Sequence, residues 1–308
     1  MKGRYQYNFH EFLAIGSISY IFRCKDLNKP ELPIVIKVIS KDIFTKIDRE
    51  NKKSGENLMQ EVLNETKFYK ESLKISNRHI EKYYDCFETS NNVYIVTEYY
   101  KGGSLRQKID ERFKELKYFK ENEILEIMYQ IVLALVTLAQ KNVIHKDVKP
   151  KNIYLDKDIC VLGGFRYADK LHNIKLMMTD SIFKAPEYTK QGFLTLAFDI
   201  WSLGCLVYEM VFGVTVPAQL DTSQNWVYCR DFKKSISGES ISEEMNRILE
   251  RCFELIWEKR ITAKELKNDR IFDFCREKYD KYMDGDNFEN DCKDFQPNLS
   301  KNSYFEKV

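Results

Sequence analysis

His145, Asp147, Lys149 and Asn152 fall close together in the stretch 143–165, VIHKDVKPKNIYLDKDICVLGGF. Its first half carries almost everything a phosphoryl-transfer loop needs. Its second half ends in Gly163-Gly164-Phe165, where that chemistry would need a metal-binding carboxylate. The question posed by the chain is how much weight the missing acid carries.

The elements around this stretch change character along the chain. Residues 12–24 are rich in β-branched and aromatic side chains around Gly16 and predict a hairpin with a tight centre. Ile34-Val35-Ile36-Lys37-Val38-Ile39 predicts a strand interrupted by Lys37, which taken alone reads as a surface lysine on an edge strand. From 41 to 57 the chain is polar and reads as a loop. Leu58, Val62, Glu65, Phe68, Tyr69 and Leu73 then recur at helical spacing, with Glu61 and Glu65 one turn apart. Strands are expected over 80–87 and 92–98.

Lys101-Gly102-Gly103-Ser104 breaks the pattern and separates a strand-rich part from a helix-rich part. Beyond it, 121–140 reads as a long apolar helix and 199–211 as a helix buried all round. Ser240-Ile241-Ser242-Glu243 fits a capping box for a helix running to Ile256. The tail beyond Asp273 mixes charge with Phe274, Tyr279, Tyr282, Phe288, Phe295 and Tyr304.

Composition bounds the partners. Of 308 residues, 49 are Lys or Arg and 47 Asp or Glu, a net charge of +2 that argues against a nucleic-acid-binding face. Eight cysteines are scattered without a C-x-x-C pair, so neither a zinc site nor a disulfide framework is indicated. The N-terminus lacks the apolar core of a secretory signal, and the apolar runs 131–139 and 200–208 are short for a membrane span. The expectation is a soluble intracellular protein, cytoplasmic or nuclear.

In this order, the parts over residues 9–273 resemble a eukaryotic protein kinase of the serine/threonine branch. The resemblance implies an α+β, bilobal kinase fold: a small β-rich N-lobe at 1–99, a larger α-helical C-lobe at 100–273 and a tail at 274–308. It implies ATP or another nucleotide as ligand, and a protein as substrate or partner.

The residue roles follow from the same resemblance. Residues 13–21 fall on the glycine-rich phosphate loop, with Gly16 kept, Ala14 and Ser19 where the family usually has glycine, and Ile21 beyond. Lys37 becomes the phosphate-binding lysine, its partner Glu65, with Glu61 the alternative. Val35 takes the usual alanine position against adenine and tightens that pocket. Thr97 matches the gatekeeper, Glu98 and Tyr100 the hinge whose backbone meets the adenine edge, and Tyr154 also falls among the nucleotide-site positions. Asp147 would accept the substrate hydroxyl's proton, Lys149 would neutralise charge on the transferred phosphoryl oxygens, and Asn152 would ligate magnesium. Lys149, two residues after the aspartate, marks the serine/threonine branch. Lys146 stands where the family has an arginine that grips a phosphorylated loop.

Then the chain departs. Gly163-Gly164-Phe165 stands for Asp-Phe-Gly, so the metal-gripping aspartate falls at Gly163, which counts against magnesium binding. Losing about 4 kcal/mol of charge stabilisation would cost roughly a thousandfold in rate. Thr179-Asp180-Ser181 replaces Gly-Thr-Pro, setting the Asp180 charge against Asp147. Glu187 is expected to pair with Arg260, and Asp199 to hold the catalytic loop's backbone. The reading favoured is a kinase-like domain with impaired catalysis, a pseudokinase acting as an allosteric or scaffolding module. The alternative is an active serine/threonine kinase, weak or with atypical metal use.

Overall fold

Strands of the first half place side chains alternately on two faces of a sheet. The computed structural model describes residues 3–16, 18–42, 61–69, 77–171, 183–191, 194–214, 235–236, 238 and 240–282. The polar stretch after Asp42, Leu58, Leu73, the triplet Thr179-Asp180-Ser181 and the tail aromatics Phe288, Phe295 and Tyr304 lie outside them. The described residues fall into two compact units: 3–42, 61–69 and 81–101 in the first, 77–80 and 102–282 in the second.

The first unit is an antiparallel sheet of six strands: β1 (Tyr5–Gln6), β2 (Phe12–Ile15), β3 (Tyr20–Asp26), β4 (Ile34–Ser40), β5 (Tyr83–Glu88) and β6 (Asn92–Glu98). They run in the order β1-β3-β4-β6-β5, with β2 also pairing β3. The central strand β4 is buried on both faces. Ile34, Ile36 and Val38 pack with Phe22, Tyr84, Tyr94 and Val96 in one apolar cluster. By the two-residue alternation of a strand, Val35, Lys37 and Ile39 point to the opposite face. One helix, α1, covers 61–69, with Val62 and Tyr69 fully buried.

The second unit is mainly helical. A capping box at Ser104 and Gln107 starts α2 (Leu105–Lys114), and α3 (Glu121–Gln140) follows. Although α3 is long and apolar enough by composition to cross a membrane, most of it is buried within this unit. Short strands come next: β7 (Val143–Ile144), the hairpin β8 (Ile153–Asp156) and β9 (Ile159–Leu162), and β10 (Asp169–Lys170), which pairs back onto β7. The remaining helices are α4 (Pro186–Gln191), α5 (Ala197–Phe212), α6 (Glu243–Cys252), α7 (Ala263–Lys267) and α8 (Asp273–Asp280).

Every residue of α5 from Phe198 to Val211 is buried, as an all-round apolar pattern requires. The cap of α6 is Ser242, whose side chain accepts from the Met245 N–H; the helix ends at Cys252, earlier than the Ile256 expected from the pattern. Arg260 donates to both oxygens of Glu187 at 2.6 and 2.9 Å, with both side chains almost completely buried. Breaking such a pair typically costs about 3–5 kcal/mol. The chain from 273 onward begins as α8, with Cys275 and Tyr279 buried, so this part of the expected tail belongs to the helical unit.

The short segment 77–80 ties three of these parts together. Asn77 donates to the Leu133 carbonyl and to the Thr137 hydroxyl on α3. His79 Nδ1 lies 2.9 Å from the Cys160 carbonyl on β9, and its ring meets Tyr279 of α8 edge-on. Burial pulls the His79 imidazole down to about 4, so it is neutral in the fold. The unfolded chain therefore binds more protons between pH 6.5 and 4, and the stability His79 contributes above pH 6.5 is lost as the pH falls. We expect a loss of about 3 kcal/mol across that window. Urea unfolding at pH 7 and pH 4 should show a smaller difference for His79→Asn than for the natural chain; equal differences would remove His79 as the cause.

Candidate active site

Two groups of polar residues sit in otherwise apolar surroundings, one in each unit. In the first unit, β4 carries Lys37 in register with Ile21 on β3 and Ile95 on β6. The ammonium is buried, so it needs anionic partners. It finds Glu65 on α1 at 3.3 Å, and a second glutamate, Glu81, also at 3.3 Å. The Tyr69 hydroxyl completes the group at 3.3 Å. Glu61, the alternative partner, lies one turn before Glu65 on the same helix.

Around this group, the β2–β3 hairpin is closed by the Gly16 N–H donating to the Ser19 carbonyl at 2.7 Å. A Cβ on Gly16 would stand 2.5 Å from the Ser19 hydroxyl, so a larger residue there would turn that side chain aside. Ala14 pairs with Ile21, and Val35 with both Arg23 and Thr97. Thr97 is fully buried, and its hydroxyl has no partner among the described residues. The Glu98 N–H donates to the Lys82 carbonyl, and the Tyr100 hydroxyl accepts from the Lys82 N–H.

In the second unit the loop after β7 is fixed from below by Asp199. Its carboxylate accepts from the backbone N–H groups of His145 and Lys146 at 2.7 and 2.9 Å. Burial pushes the Asp199 carboxyl up to about 7, against the pull of those two donors. Lys146 takes a left-handed conformation, φ 67°, and points inward to Asp169 at 3.5 Å. Burial lowers its pKa while Asp169 opposes that shift. Asp169 is thus engaged with Lys146.

His145 is buried and carries two bonds. The Asp147 N–H donates to Nδ1, which leaves the proton on Nε2 to reach the Gly163 carbonyl at 3.0 Å. Asp147 Oδ2 is held by Lys149 Nζ at 2.6 Å and by the Asn152 amide at 2.8 Å. The same amide donates to the Asp147 carbonyl. Asp147 Oδ1 is buried without a hydrogen-bond partner among the described residues. It is the oxygen left to take a proton from a hydroxyl brought up to it. Tyr154 lies on β8 opposite Val161 and bridges to Ser104.

The glycine pair corrects the expected register. Gly163 is buried, with its N–H and C=O both bonded to the loop, to the Asn152 carbonyl and to His145. Gly164 is the residue that faces Asn152. It is left-handed, φ 77°, and a Cβ there would come within 2.6 Å of the Asn152 amide. Phe165 is fully buried against the His145 ring, centroids 4.8 Å apart. It fills an apolar position that Gly164, one residue earlier, has no side chain to occupy. Aligning Asp-Phe-Gly on the phenylalanine would have shown this: Gly164 then takes the aspartate's place and Arg166 the final glycine's.

The donor set at this point does not fit magnesium. Gly164 offers no side-chain oxygen to join Asn152. Glu81 was missed by the sequence reading. With Arg78, His79 and Lys82 close by, it carries no signal of burial in the sequence.

The protein kinase domain family profile matches residues 7–272. The chain belongs to the eukaryotic serine/threonine protein kinase family. It is 32% identical over 215 residues to serine/threonine-protein kinase Nek2 of Homo sapiens, covering 65% of this chain and 48% of that protein. It is 30% identical to serine/threonine-protein kinase ppk11 of Schizosaccharomyces pombe, covering 68% of this chain and 63% of that one. Kinase nekl-2 of Caenorhabditis elegans is 25% identical over 274 residues, 83% of this chain and 71% of that protein. The matched region thus spans about half the length of the human relative. The sheet unit and the helical unit are those of the kinase fold.

For a kinase loop built this way, the place of the missing acid is testable by restoring it. Gly164→Asp must displace Asn152 and accept a left-handed residue, at a cost of about 1–2 kcal/mol in stability. It should nevertheless introduce stabilisation by magnesium and ATP together that exceeds ATP alone. Gly163→Asp should destabilise the fold by burying an unpaired charge and bring no such gain. Thermal melts of the two variants with and without the metal decide between the two registers.

Proposed function

We propose that this kinase domain binds a nucleotide through Lys37 but transfers phosphoryl groups poorly or not at all, and acts as an allosteric or scaffolding module. One observation carries the reading: the position facing Asn152 is Gly164, which has no carboxylate to offer. In the family, ATP supplies the phosphoryl group and magnesium usually accompanies it. Here the metal is the component the residues support least.

The chain's own groups can still do part of the work. Lys37, held between two acids, can offer its side-chain nitrogen to phosphate oxygens. Asp147 presents one unpaired oxygen as proton acceptor, and Lys149 lies on its other oxygen, able to swing toward developing negative charge. The hydroxyl-bearing substrate would be a protein, at serine or threonine, which the relatives' names support. Without the carboxylate, less cationic charge is held against the transferred group. A deficit of about 4 kcal/mol corresponds to roughly a thousandfold in rate.

A second reading, a weak active kinase with atypical metal use, is favoured by the intact Asp147, Lys149 and Asn152. The two separate on one pair of measurements. We expect ATP to raise the melting temperature equally with and without magnesium, and transfer to a basic protein substrate to stay at the level of Asp147→Asn. Metal-dependent stabilisation, with turnover abolished by Asp147→Asn, would establish the active kinase instead.

A further inference from the structure

Lys37 has one carboxylate more than it needs. Its ammonium lies 3.3 Å from Glu65 Oε1 and 3.3 Å from Glu81 Oε1, and all three residues are less than a tenth exposed. Tyr69 links the two acids: its hydroxyl donates to Glu81 Oε2 and lies 3.5 Å from Glu65 Oε1. The Tyr69 ring is itself stacked on Tyr83, centroids 5.2 Å apart.

The two acids come from different elements. Glu65 rides on α1, so its distance to Lys37 follows any movement of that helix. Glu81 does not. The next residue, Lys82, is bonded through its carbonyl to the Glu98 N–H at 2.9 Å and through its N–H to the Tyr100 hydroxyl at 3.0 Å. Tyr83 after it pairs with Thr97 in the sheet. Glu81 is therefore fixed to the same sheet that carries Lys37.

We propose that Glu81 is a sheet-borne counter-ion and positioning residue for Lys37, holding the lysine independently of α1 and lowering its affinity for the phosphates of a nucleotide. The first half follows from the geometry alone. The second rests on the nucleotide-binding reading above, and its physical basis is charge. One lysine faces two acids, each 3.3 Å away, so a phosphate approaching Lys37 must compete with both of them in a poorly solvated place.

The test uses the full chain and two readouts. Glu81→Gln keeps the shape and an acceptor for Tyr69 while removing the charge; Glu81→Leu serves if the amide variant fails to fold by circular dichroism. The first readout is the rate at which an acetylating ester modifies Lys37, followed by mass spectrometry without nucleotide. Glu65→Gln and Glu81→Gln should each raise that rate less than about threefold, and the double variant at least about tenfold, because either acid alone suffices as an anchor. A Glu65→Gln rate equal to that of the double variant would overturn the sheet-side anchor.

The second readout is binding of ATP in EDTA. Glu81→Gln should tighten it by about tenfold, the order expected from removing one like charge a few ångströms away, and Lys37→Met should abolish it. Unchanged or weaker binding in Glu81→Gln overturns the effect on affinity. If neither the natural chain nor any variant binds ATP, the nucleotide reading fails and the affinity claim falls with it. The acetylation series still decides the anchor in that case.

Discussion

A single buried carboxylate, Asp199, determines whether the catalytic loop has a shape at all. It sits in a helix buried along nearly its whole length and spends both oxygens on the N–H groups of His145 and Lys146. Those donors belong to a loop that turns through a left-handed lysine, and no regular ladder could satisfy them there. Once they are fixed, His145 can reach the Gly163 carbonyl and Phe165 can pack on its ring. The direction in which Asp147 points is thus a consequence of Asp199, several turns of chain away. The same logic holds lower in the helical unit, where the Glu187–Arg260 pair ties α4 to the turn before α7.

In the sheet unit the corresponding constraint is the burial of Lys37. An ammonium so placed is tolerable only with carboxylates beside it, and the surrounding residues are arranged to deliver them. Tyr69 and Tyr83, stacked face to face, hold the space in which Glu65 and Glu81 converge. Packing and charge are not separable here: removing the stacked ring would free both acids to move, and removing an acid would leave the Tyr69 hydroxyl with one acceptor fewer.

Much of this was legible in the sequence, for identifiable reasons. The strands and the buried α5 depend on residue types that have few other uses in such positions, while the pairs of Arg260 with Glu187 and of Asp199 with the loop were expected from the resemblance to the family. Two features were missed. A Gly-Gly pair has no side chains of its own to set its register, so the alignment has to hang on Phe165; the left-handed φ of Gly164 and the packing of Phe165 show which glycine faces Asn152. Glu81 was hidden because a glutamate just before a strand reads as solvated; its burial is caused by a lysine more than forty positions earlier in the chain. Stretches such as 172–182, which include Asp180, lie outside the described residues, so the proposed repulsion of Asp147 has no geometry behind it.

The retained trio Asp147, Lys149 and Asn152 looks at first like the strongest argument for turnover. The structure supplies another reason for keeping it. Lys149 neutralises the buried Asp147 carboxylate, and the Asn152 amide binds both that carboxylate and the Asp147 backbone carbonyl. Removing either neighbour would leave a buried acid under-satisfied, at a cost of about 1–3 kcal/mol or more. The trio therefore stabilises itself, whatever it does to a substrate. The carboxylate that is gone is the one whose loss costs the fold least. At Gly164 an aspartate would have to hold a left-handed backbone, crowd Asn152 and place a second negative charge near Asp147. Glycine relieves all three. A loop freed from the need to hold a metal would drift toward this arrangement on stability alone, keeping the residues that support one another and losing the one that only the metal required.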